Sequence, residues 1–399
     1  MKNVCGHKDL CGGCIYQGIE YDEQIKIKED FVLSLIAENN LTIKEYLGIE
    51  KAPFIYNYRN KMEYTFGDLV KDGPMTLGLH QKKRFMSVLD TDNCLIVDPD
   101  YNEIVKAVKN HALEKGYNKY NKKTHEGLLR HLVVRKGVRT EELLVNIVTT
   151  STEPFDEDGF VNAIKAIESD LNNRIVGVLH TINNSIADTI IPEKVNLLYG
   201  RDHYKENLLG LEFHVGAFSF FQTNVEAIER LYSEAISMLS EIEDKTIYDL
   251  YCGTGTISQI LAKKAKKVIG IEIVEEAVES ARSSAKLNNI ENITFIAGDV
   301  LKTVHTISDK PDIIVVDPPR SGIHPKALRE ILDIGVKEIL YISCNPKTMT
   351  KDLMAMEEAG YTIDKLKAYD NFPFTRHVEC VGLMQRSGSK DELKRLIIM

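Results

Sequence analysis

An apolar, strand-like run near the C-terminal end of the sequence finishes on a cysteine. The stretch ILYISCNPKT, residues 339–348, places Cys344 directly before Asn-Pro. A cysteine inside a core is usually a small hydrophobic residue, whereas a thiol at the mouth of a strand can act as a nucleophile. Pro346 would fix the following turn and favour an extended Asn345, which would hold the thiol at the strand end.

A glutamate further along the chain suits the same chemistry. C5 of a pyrimidine is a poor nucleophile, but addition of a thiolate to C6 turns the ring into an enolate whose C5 can attack a methyl donor. The adduct must then lose its C5 proton to a base before the thiol can leave. Glu379 lies in FPFTRHVEC between Val378 and Cys380, where burial would raise the pKa of its carboxyl toward that of a useful base.

A glycine loop follows an earlier apolar strand, in TIYDLYCGTGT at residues 246–256. Gly253 and Gly255 would let the backbone approach a ligand closely. Glu272 ends the next predicted strand, where a carboxylate bonds a ribose diol in doubly wound folds. Residue 258 is Ser rather than the third glycine of the dinucleotide pattern, which S-adenosylmethionine does not require because it has no pyrophosphate. The pattern favours a methyltransferase over a nicotinamide-dependent enzyme.

The elements that must position these residues change in type along the chain. From about residue 212, apolar strands alternate with helical segments, which predicts a parallel α/β sheet. The third of these strands ends at Asp299, and two closely spaced runs near the end predict an antiparallel hairpin. We therefore expect a strand-rich region over residues 1–211 and a Rossmann-like S-adenosylmethionine methyltransferase domain over residues 212–399. The predicted strands of the first region are residues 52–66, 76–80, 130–135, 142–149 and 175–180.

Composition limits the class of protein and its partners. An apolar fraction of 43% and a charged fraction of 27% are typical of a globular protein. The sequence has neither an apolar run of about 18 residues nor a secretory h-region, so we expect a cytoplasmic protein without a membrane span. The net charge of −9 argues against coating of nucleic acid. Basic residues gather at 58–61, 82–84 and 119–139, which indicates either a local surface for an anionic partner or a solvated face.

Three closely spaced cysteines lie near the N-terminus. Cys5, Cys11 and Cys14 occur in CGHKDLCGGC, a short glycine-rich loop that could turn three thiolates toward one centre. With His7 or a fourth thiolate they could hold zinc, and they could equally hold an iron–sulfur cluster. Their spacing alone leaves both alternatives open.

Five segments, in order, resemble the RNA uracil-5 methyltransferases, which form 5-methyluridine in tRNA or large-subunit rRNA. These segments are SFFQTN (219–224), DLYCGTG (249–255), DPPRSG (317–322), SCNPKT (343–348) and FPFTRHVE (372–379). The resemblance covers essentially the whole chain and implies that Cys344 is the nucleophile and that Glu379 removes the C5 proton. It also implies that Gln222, Tyr251, Glu272 and Asp317 contact the cofactor. With the glycine loop and the third strand end, the predicted S-adenosylmethionine site comprises Gln222, Tyr251, Gly253, Gly255, Glu272, Asp299 and Asp317.

The resemblance also bears on the N-terminal cysteines. Family members that act on rRNA have a similar cysteine spacing and a fourth ligand in a segment like DNCLIVDP, which here contains Cys94. Members that act on tRNA typically lack these cysteines. The resemblance therefore implies a 4Fe–4S cluster and 23S rRNA as the substrate. The predicted ligands are Cys5, Cys11, Cys14 and Cys94.

RNA is the predicted partner, and no obligate protein partner is inferred. Arg59, Lys61 and Arg130 are candidate phosphate contacts, with structural ion pairs as the alternative. The target uridine would have to flip out of its stack to reach Cys344. Two other functions stay open, namely the same reaction on tRNA and an inactive iron–sulfur RNA-binding protein with a methyltransferase fold.

Overall fold

A computed structural model of the chain describes residues 4–386. In chain order the strands are β1 (Ile43–Glu50), β2 (Lys61–Asp68), β3 (Met75–Gln81), β4 (Arg84–Asp90), β5 (Leu129–Gly137), β6 (Glu142–Thr149), β7 (Arg174–Ile182), β8 (Lys194–Gly200), β9 (His203–Leu208), β10 (Leu211–Gly216), β11 (Thr246–Leu250), β12 (Lys267–Glu272), β13 (Ile293–Ala297), β14 (Ile313–Val316), β15 (Glu338–Ser343), β16 (Tyr361–Tyr369) and β17 (Glu379–Arg386). The helices are α1 (Tyr21–Glu38), α2 (Pro99–Glu114), α3 (Glu157–Ala166), α4 (Val225–Met238), α5 (Thr256–Ala262), α6 (Glu275–Leu287), α7 (Val300–Thr303), α8 (Pro325–Ile334) and α9 (Pro346–Glu358), with a 3₁₀ turn at Glu168–Asp170.

The chain forms two compact units, each with one large sheet. The described residues of the seven-strand unit lie within Met1–Glu20, Phe54–Leu208 and Phe213–Val225. Those of the eight-strand unit lie within Tyr21–Pro53, Leu209–Glu212 and Glu226–Met399. The sequence predicted one boundary between residues 211 and 212, whereas in the structure the chain passes between the units several times.

The sheet of the eight-strand unit has the order β1-β16-β17-β15-β14-β11-β12-β13. Strands β11 to β15 pair in parallel, and β17 lies antiparallel between β15 and β16. Every residue of β14 and β15 is buried, as expected for parallel strands covered by helices on both faces. The predicted Rossmann-like α/β fold with a terminal antiparallel hairpin is confirmed.

Two elements from the first part of the sequence complete this unit. Strand β1 pairs in parallel with β16 at the edge of the sheet. Helix α1 buries Ile25, Val32 and Leu35 on one face, and Val32 belongs to the large apolar core of the unit. The sequence had placed both elements in the strand-rich region. Their place was not visible in the sequence because pairing of β1 with β16 joins segments more than 300 residues apart.

The sheet of the seven-strand unit has the order β4-β3-β2-β5-β6-β7-β8, and β9 pairs with β10 separately. Its neighbours are antiparallel except for β6 and β7. The predicted strands after residue 75 are confirmed, but the predicted strand over 52–66 begins only at Lys61. Asn57 has a φ of 55°, which breaks an extended strand, and the backbone there bonds to Leu95 and Ile96 instead. No helix within residues 4–386 has the length and apolar composition of a membrane span.

Candidate active site

The glycine loop joins β11 to α5 through several residues with positive φ. Tyr251, Gly253 and Gly255 have φ values of 65°, 53° and 76°. A Cβ on Gly255 would lie 2.6 Å from Phe295, whereas one on Gly253 would meet nothing within 4 Å. Gly255 therefore packs the loop against β13, and Gly253 leaves backbone open on the other side, as a close approach by a ligand requires.

Glu272 is the last residue of β12, and its carboxylate holds the glycine loop. Oε2 accepts a hydrogen bond from the Gly253 amide at 3.1 Å, and Oε1 accepts one from the Val274 amide at 3.0 Å. Asp299 caps helix α7 by accepting from the Leu301 amide at 3.0 Å. The structure thus brings Glu272 to the loop, as the sequence predicted, while its bond to a ribose stays a prediction.

The Tyr251 hydroxyl lies near enough to Glu272 and Asp299 for their charges to affect its pKa. Burial raises the pKa of the hydroxyl to about 12, with smaller contributions from Asp299, Asp352 and Glu272. Tyr251, Glu272 and Asp299 therefore lie around the same loop. Gln222, the other predicted cofactor contact, belongs to the seven-strand unit, where its carbonyl accepts from Asn60 Nδ2 at 3.0 Å. Its contact with the cofactor stays a prediction from the resemblance.

Asp249 is a site residue that the sequence interpretation missed. It is fully buried, and burial raises the pKa of its carboxyl to about 7. Ser258 Oγ donates to Oδ2, but Oδ1 has no hydrogen-bond partner among residues 4–386. A buried acceptor without a partner is costly and fits a ligand that brings a donor, such as the ammonium group of S-adenosylmethionine. The acid inside the apolar run TIYDLY was the available signal.

The register of the sheet brings Cys344 next to Glu379. Strands β15 and β17 are antiparallel and pair Ser343 with Cys380. The next residue after β15 is Cys344, and the residue before Cys380 is Glu379, the first residue of β17. The same register therefore places the predicted nucleophile across from the predicted base.

The residues around Cys344 and Glu379 lie near enough for their charges to change one another's pKa. Burial raises the pKa of the Glu379 carboxyl to about 7, and the Arg320 guanidinium opposes that rise. Burial also raises the pKa of the Cys344 thiol to about 11, with further contributions from Glu379 and Asp317, while the Arg320 guanidinium opposes that rise. Burial, Glu379 and Asp249 raise the pKa of Asp317 well above its usual range. Asp317 thus links the thiol and base to the glycine loop.

The Asn-Pro dipeptide that follows Cys344 has a structural role. Asn345 is extended, with a φ of −142°, and its side chain accepts from the Lys347 amide as the N-cap of α9, which begins at Pro346. Asn345 Nδ2 also donates to Arg320 O at 2.8 Å. The dipeptide therefore ends the strand, begins the helix and ties the DPPRSG loop to the segment of the predicted nucleophile. Arg320 belongs to the DPPRSG segment, but no role for it was predicted from the sequence.

The four predicted cluster ligands lie on loops of the seven-strand unit. Burial raises the pKa of the Cys14 thiol to about 12, with further contributions from Cys94, Cys11 and Cys5. Burial likewise raises the pKa of Cys94 to about 11, and Cys5 and Cys11 add to it. The four thiols are thus near one another, although no group of three or more His, Cys, Asp or Glu side chains within residues 4–386 is arranged to hold a metal ion. The cluster is therefore not shown.

Of the candidate phosphate contacts, Arg130 has a structural role. It is 3% exposed and donates to the carbonyls of Asn183, Ser185 and Ala187. The phosphate interpretation of Arg130 is therefore corrected: its role is structural, through backbone carbonyls rather than through the ion pairs expected as the alternative. Lys82 and Lys83, at the turn between β3 and β4, are exposed and are better placed for an anionic partner.

Comparisons with known proteins identify the family. The family model of tRNA (uracil-5-)-methyltransferases matches residues 193–387. An uncharacterized RNA methyltransferase of Caldanaerobacter subterraneus is 50% identical over 387 residues, which are 97% of this chain and 85% of that protein. One from Clostridium tetani is 49% identical over 386 residues, which are 97% of this chain and 84% of that protein.

A solved structure is similar over nearly the whole chain. It is the crystal structure of the Pyrococcus abyssi tRNA (uracil-54, C5)-methyltransferase in complex with S-adenosyl-L-homocysteine. The TM-score is 0.76 at 28% identity, over 94% of this chain and 86% of that one. The fold, the open glycine loop and the Asp249 oxygen that lacks a partner among residues 4–386 all fit S-adenosylmethionine as the cofactor. The chain belongs to the RNA uracil-5 methyltransferase family and is an S-adenosylmethionine-dependent enzyme that methylates RNA.

Proposed function

We propose that this protein methylates C5 of a specific uridine in 23S rRNA through a covalent adduct between Cys344 and C6. The observation that carries the proposal is the register of β15 and β17, which puts Cys344 across from Glu379. A methyltransferase that only positions a nitrogen lone pair has no use for a thiol beside a buried carboxyl. Addition and elimination at a pyrimidine ring require both groups.

The first step is nucleophilic addition by Cys344. The sulfur forms a bond to C6, and the electrons of the C5–C6 double bond move through C4 to O4. With a thiol pKa raised to about 11, the thiolate is the minor form at neutral pH. Arg320 stabilises that form by its positive charge, which lowers the pKa of the thiol, as cations do at reactive cysteines.

The second step needs a base after C5 has gained the methyl group. S-adenosylmethionine, when bound, supplies that methyl group on a positively charged sulfur. Glu379, whose pKa is raised to about 7, is partly ionised at neutral pH and can take the C5 proton. The electrons of the C5–H bond then restore the C5–C6 double bond, and Cys344 leaves as the thiolate.

The cofactor would bind at the glycine loop. Tyr251, Gly253, Glu272 and Asp299 surround the loop, and Glu272 is the proposed partner of the ribose diol. Asp249 offers its unpartnered oxygen to the amino group. Asp317 lies between this loop and the thiol, where it would orient either the cofactor or the base.

We also propose a 4Fe–4S cluster on the four cysteines of the seven-strand unit. The mutual electrostatic effects of Cys5, Cys11, Cys14 and Cys94 support it, as does the chemistry of a donor set of four thiols. The cluster would tie the loop of residues 5–14 to Cys94. The methyl transfer moves no net electrons to the protein, so the role of these residues is structural.

A second candidate substrate is tRNA. The specific observation in its favour is the similarity to the Pyrococcus abyssi enzyme, whose described target is uracil 54 of tRNA. Mapping 5-methyluridine in 23S rRNA and in total tRNA, from cells with and without the gene, separates the two. Loss of the modification from 23S rRNA alone supports the first candidate, and loss from tRNA alone replaces it with the second.

The covalent mechanism is tested with two variants on one denaturing gel. Glu379→Gln should add to the RNA and methylate it but fail to release it, which leaves a protein–RNA adduct. Cys344→Ala should give neither adduct nor product while still binding S-adenosylmethionine. Cys380→Ala, which removes a neighbouring thiol, should still form the adduct. Adducts with Cys344→Ala, or full turnover by Glu379→Gln, would refute the assigned roles.

A further inference from the structure

A buried ion pair joins helix α1 to the loop that precedes Glu379. Lys28 Nζ lies 2.5 Å from Asp370 Oδ1 and donates a second hydrogen bond to Phe372 O at 3.1 Å. The two charged side chains are 1% and 0% exposed. Removing both charges from water costs free energy that is recovered only in a fixed, well-bonded geometry. The pair therefore specifies one arrangement of the helix and the loop.

Two more side chains of the same helix face hold the same loop. Tyr21 Oη donates to Asp370 Oδ2 at 2.9 Å, and Gln24 Oε1 accepts from the Phe374 amide at 2.9 Å. Positions 21, 24 and 28 follow the helical repeat and so line one face. Phe374 is fully buried with a φ of 66°, a conformation that a bulky residue keeps only when its surroundings enforce it. The hydrogen bond that the Phe374 amide donates to Gln24 of helix α1 stabilises that conformation.

Helix α1 also contacts the helix that follows the nucleophile. Lys347 Nζ lies 5.7 Å from the centre of the Phe31 ring, and Asn39 Nδ2 donates to Thr350 Oγ1 at 3.4 Å. Helix α9, which carries Lys347 and Thr350, begins two residues after Cys344. One helix thus contacts both the segment after the nucleophile and the loop before the base.

We propose that Lys28 is a positioning residue for removal of the C5 proton, and that it acts through Asp370 on the loop of residues 370–374. The proposal rests on the proposed function, in which Glu379 is the base. Glu379 begins β17 after the short segment 375–378 that follows this loop, and it pairs with Tyr369, the residue before Asp370. A shift of the loop therefore moves the carboxyl, and a displacement of about 1 Å can slow a chemical step by about 100-fold.

The test compares Lys28→Met with Lys51→Met in the full-length protein. Both variants remove an ammonium that pairs with an aspartate, but the Lys51–Asp22 pair, which also involves α1, is exposed. Single-turnover experiments with RNA and S-adenosylmethionine measure adduct formation and adduct release separately. Lys28→Met should slow release by about tenfold or more and accumulate the adduct, with formation and cofactor affinity within about twofold of the wild type. Lys51→Met should behave as the wild type.

Hydrogen exchange supplies a readout that does not depend on catalysis. In Lys28→Met the amides of Phe372 and Phe374 should exchange faster, because they bond to Asp370 and Gln24. The amide of Gly255, in the cofactor loop, should be unchanged. Normal release by a folded Lys28→Met, or formation and release slowed in equal proportion, overturns the proposal, because a purely stabilising pair would affect both steps alike.

Tyr21→Phe keeps the proposal testable if Lys28→Met fails to fold. It removes the O–H donor to Asp370, together with the acceptor of the Ala52 amide, and should slow the same step by about threefold. Glu379→Gln distinguishes an error in the proposed base from an error in the proposed role of Lys28. If it traps no adduct, the proposed base is wrong; if it traps the adduct while Lys28→Met and Tyr21→Phe release RNA at the wild-type rate, only the role of Lys28 is wrong.

Discussion

The two sets of cysteines in this protein are held by different forces. Cys344 follows β15, and the backbone ladder between β15 and β17 places it across from Glu379. Cys5, Cys11, Cys14 and Cys94 lie outside the named strands and helices. Within residues 4–386 they are near one another but not arranged as a metal site.

This difference separates two ways of building a site. A site fixed by sheet register exists before any ligand binds, because backbone hydrogen bonds have already oriented its side chains. A site made of side chains on loops gains its geometry from the ligand, so ligand binding and folding are coupled. We therefore expect substitutions at the loop cysteines to affect folding, and substitutions at the register-fixed site to affect binding and catalysis.

The largest expected effect comes from Cys94→Ser in the seven-strand unit. If the four thiols bind a cluster, the variant should lose iron and the visible absorption of a 4Fe–4S centre in anaerobically purified protein. Binding of a structural metal centre adds to the free energy of folding, because the unfolded chain has no preformed site, so the unit should unfold at lower denaturant concentration. Calorimetric binding of S-adenosylmethionine to the eight-strand unit should persist.

The control for this prediction is Cys380→Ala, which lies outside the quartet. It should retain iron at the wild-type stoichiometry. Stoichiometric zinc without iron in the wild-type protein would rule out the cluster, and retention of iron by Cys94→Ser would remove that residue from the ligand set.

The next effect concerns Glu272 in the preformed site. Glu272→Ala removes the proposed acceptor of the ribose diol, together with two hydrogen bonds to the glycine loop. Loss of a charge-assisted hydrogen bond should weaken S-adenosylmethionine binding by about 1.5–3 kcal/mol, measured by calorimetry. Glu275→Ala, on the first turn of α6, is the matched control. Equal affinities for both variants would show that Glu272 only supports the fold.

The sequence pointed to those candidate site residues that stand at a change of local structure. Cys344 is followed by Asn-Pro and Glu379 by an apolar strand, while Gly253 and Gly255 interrupt an apolar run. Each change has a local cause, namely a strand end, a helix cap or a positive φ. The sheet then gathers these residues at one edge, because its parallel strands end there and the antiparallel β17 begins there. Local pattern was sufficient for this part of the site.

The sequence could not reveal contacts that depend on how elements pack. Asp249 and Ser258 were both visible, but their hydrogen bond needs the strand and helix to meet around the loop. The Lys28–Asp370 pair joins residues 342 positions apart, and nothing near either residue marks the other. Arg130 was predicted to contact phosphate because its three carbonyl partners lie on a separate loop, and nothing in the sequence near Arg130 indicates them. Long-range packing determined each of these roles.

A smaller effect is expected from pH at the preformed site. Burial raises the pKa of Glu379 to about 7, and only the ionised carboxylate can accept the C5 proton. Release of methylated RNA should therefore slow by about tenfold per unit as pH falls below about 7 and level off above it. Rapid-quench measurements of adduct decay between pH 5.5 and about 8.5 give the profile. A rate that does not change across this range would show that Glu379 is not the base.

The smallest expected effect tests whether Arg320 tunes the preformed site by charge. Its guanidinium lowers the pKa of both Cys344 and Glu379, so Arg320→Met should shift the pH profiles of adduct formation and release upward together. Arg320 is exposed, and solvent screens its field, so the shift should stay within about one pH unit. Arg320→Lys keeps the charge and should restore the profiles, while Arg329→Met, on the exposed face of α8, should leave them unchanged. If Arg320→Lys is as slow as Arg320→Met at every pH, the charge of Arg320 does not tune the site, and geometry alone governs this edge of the sheet.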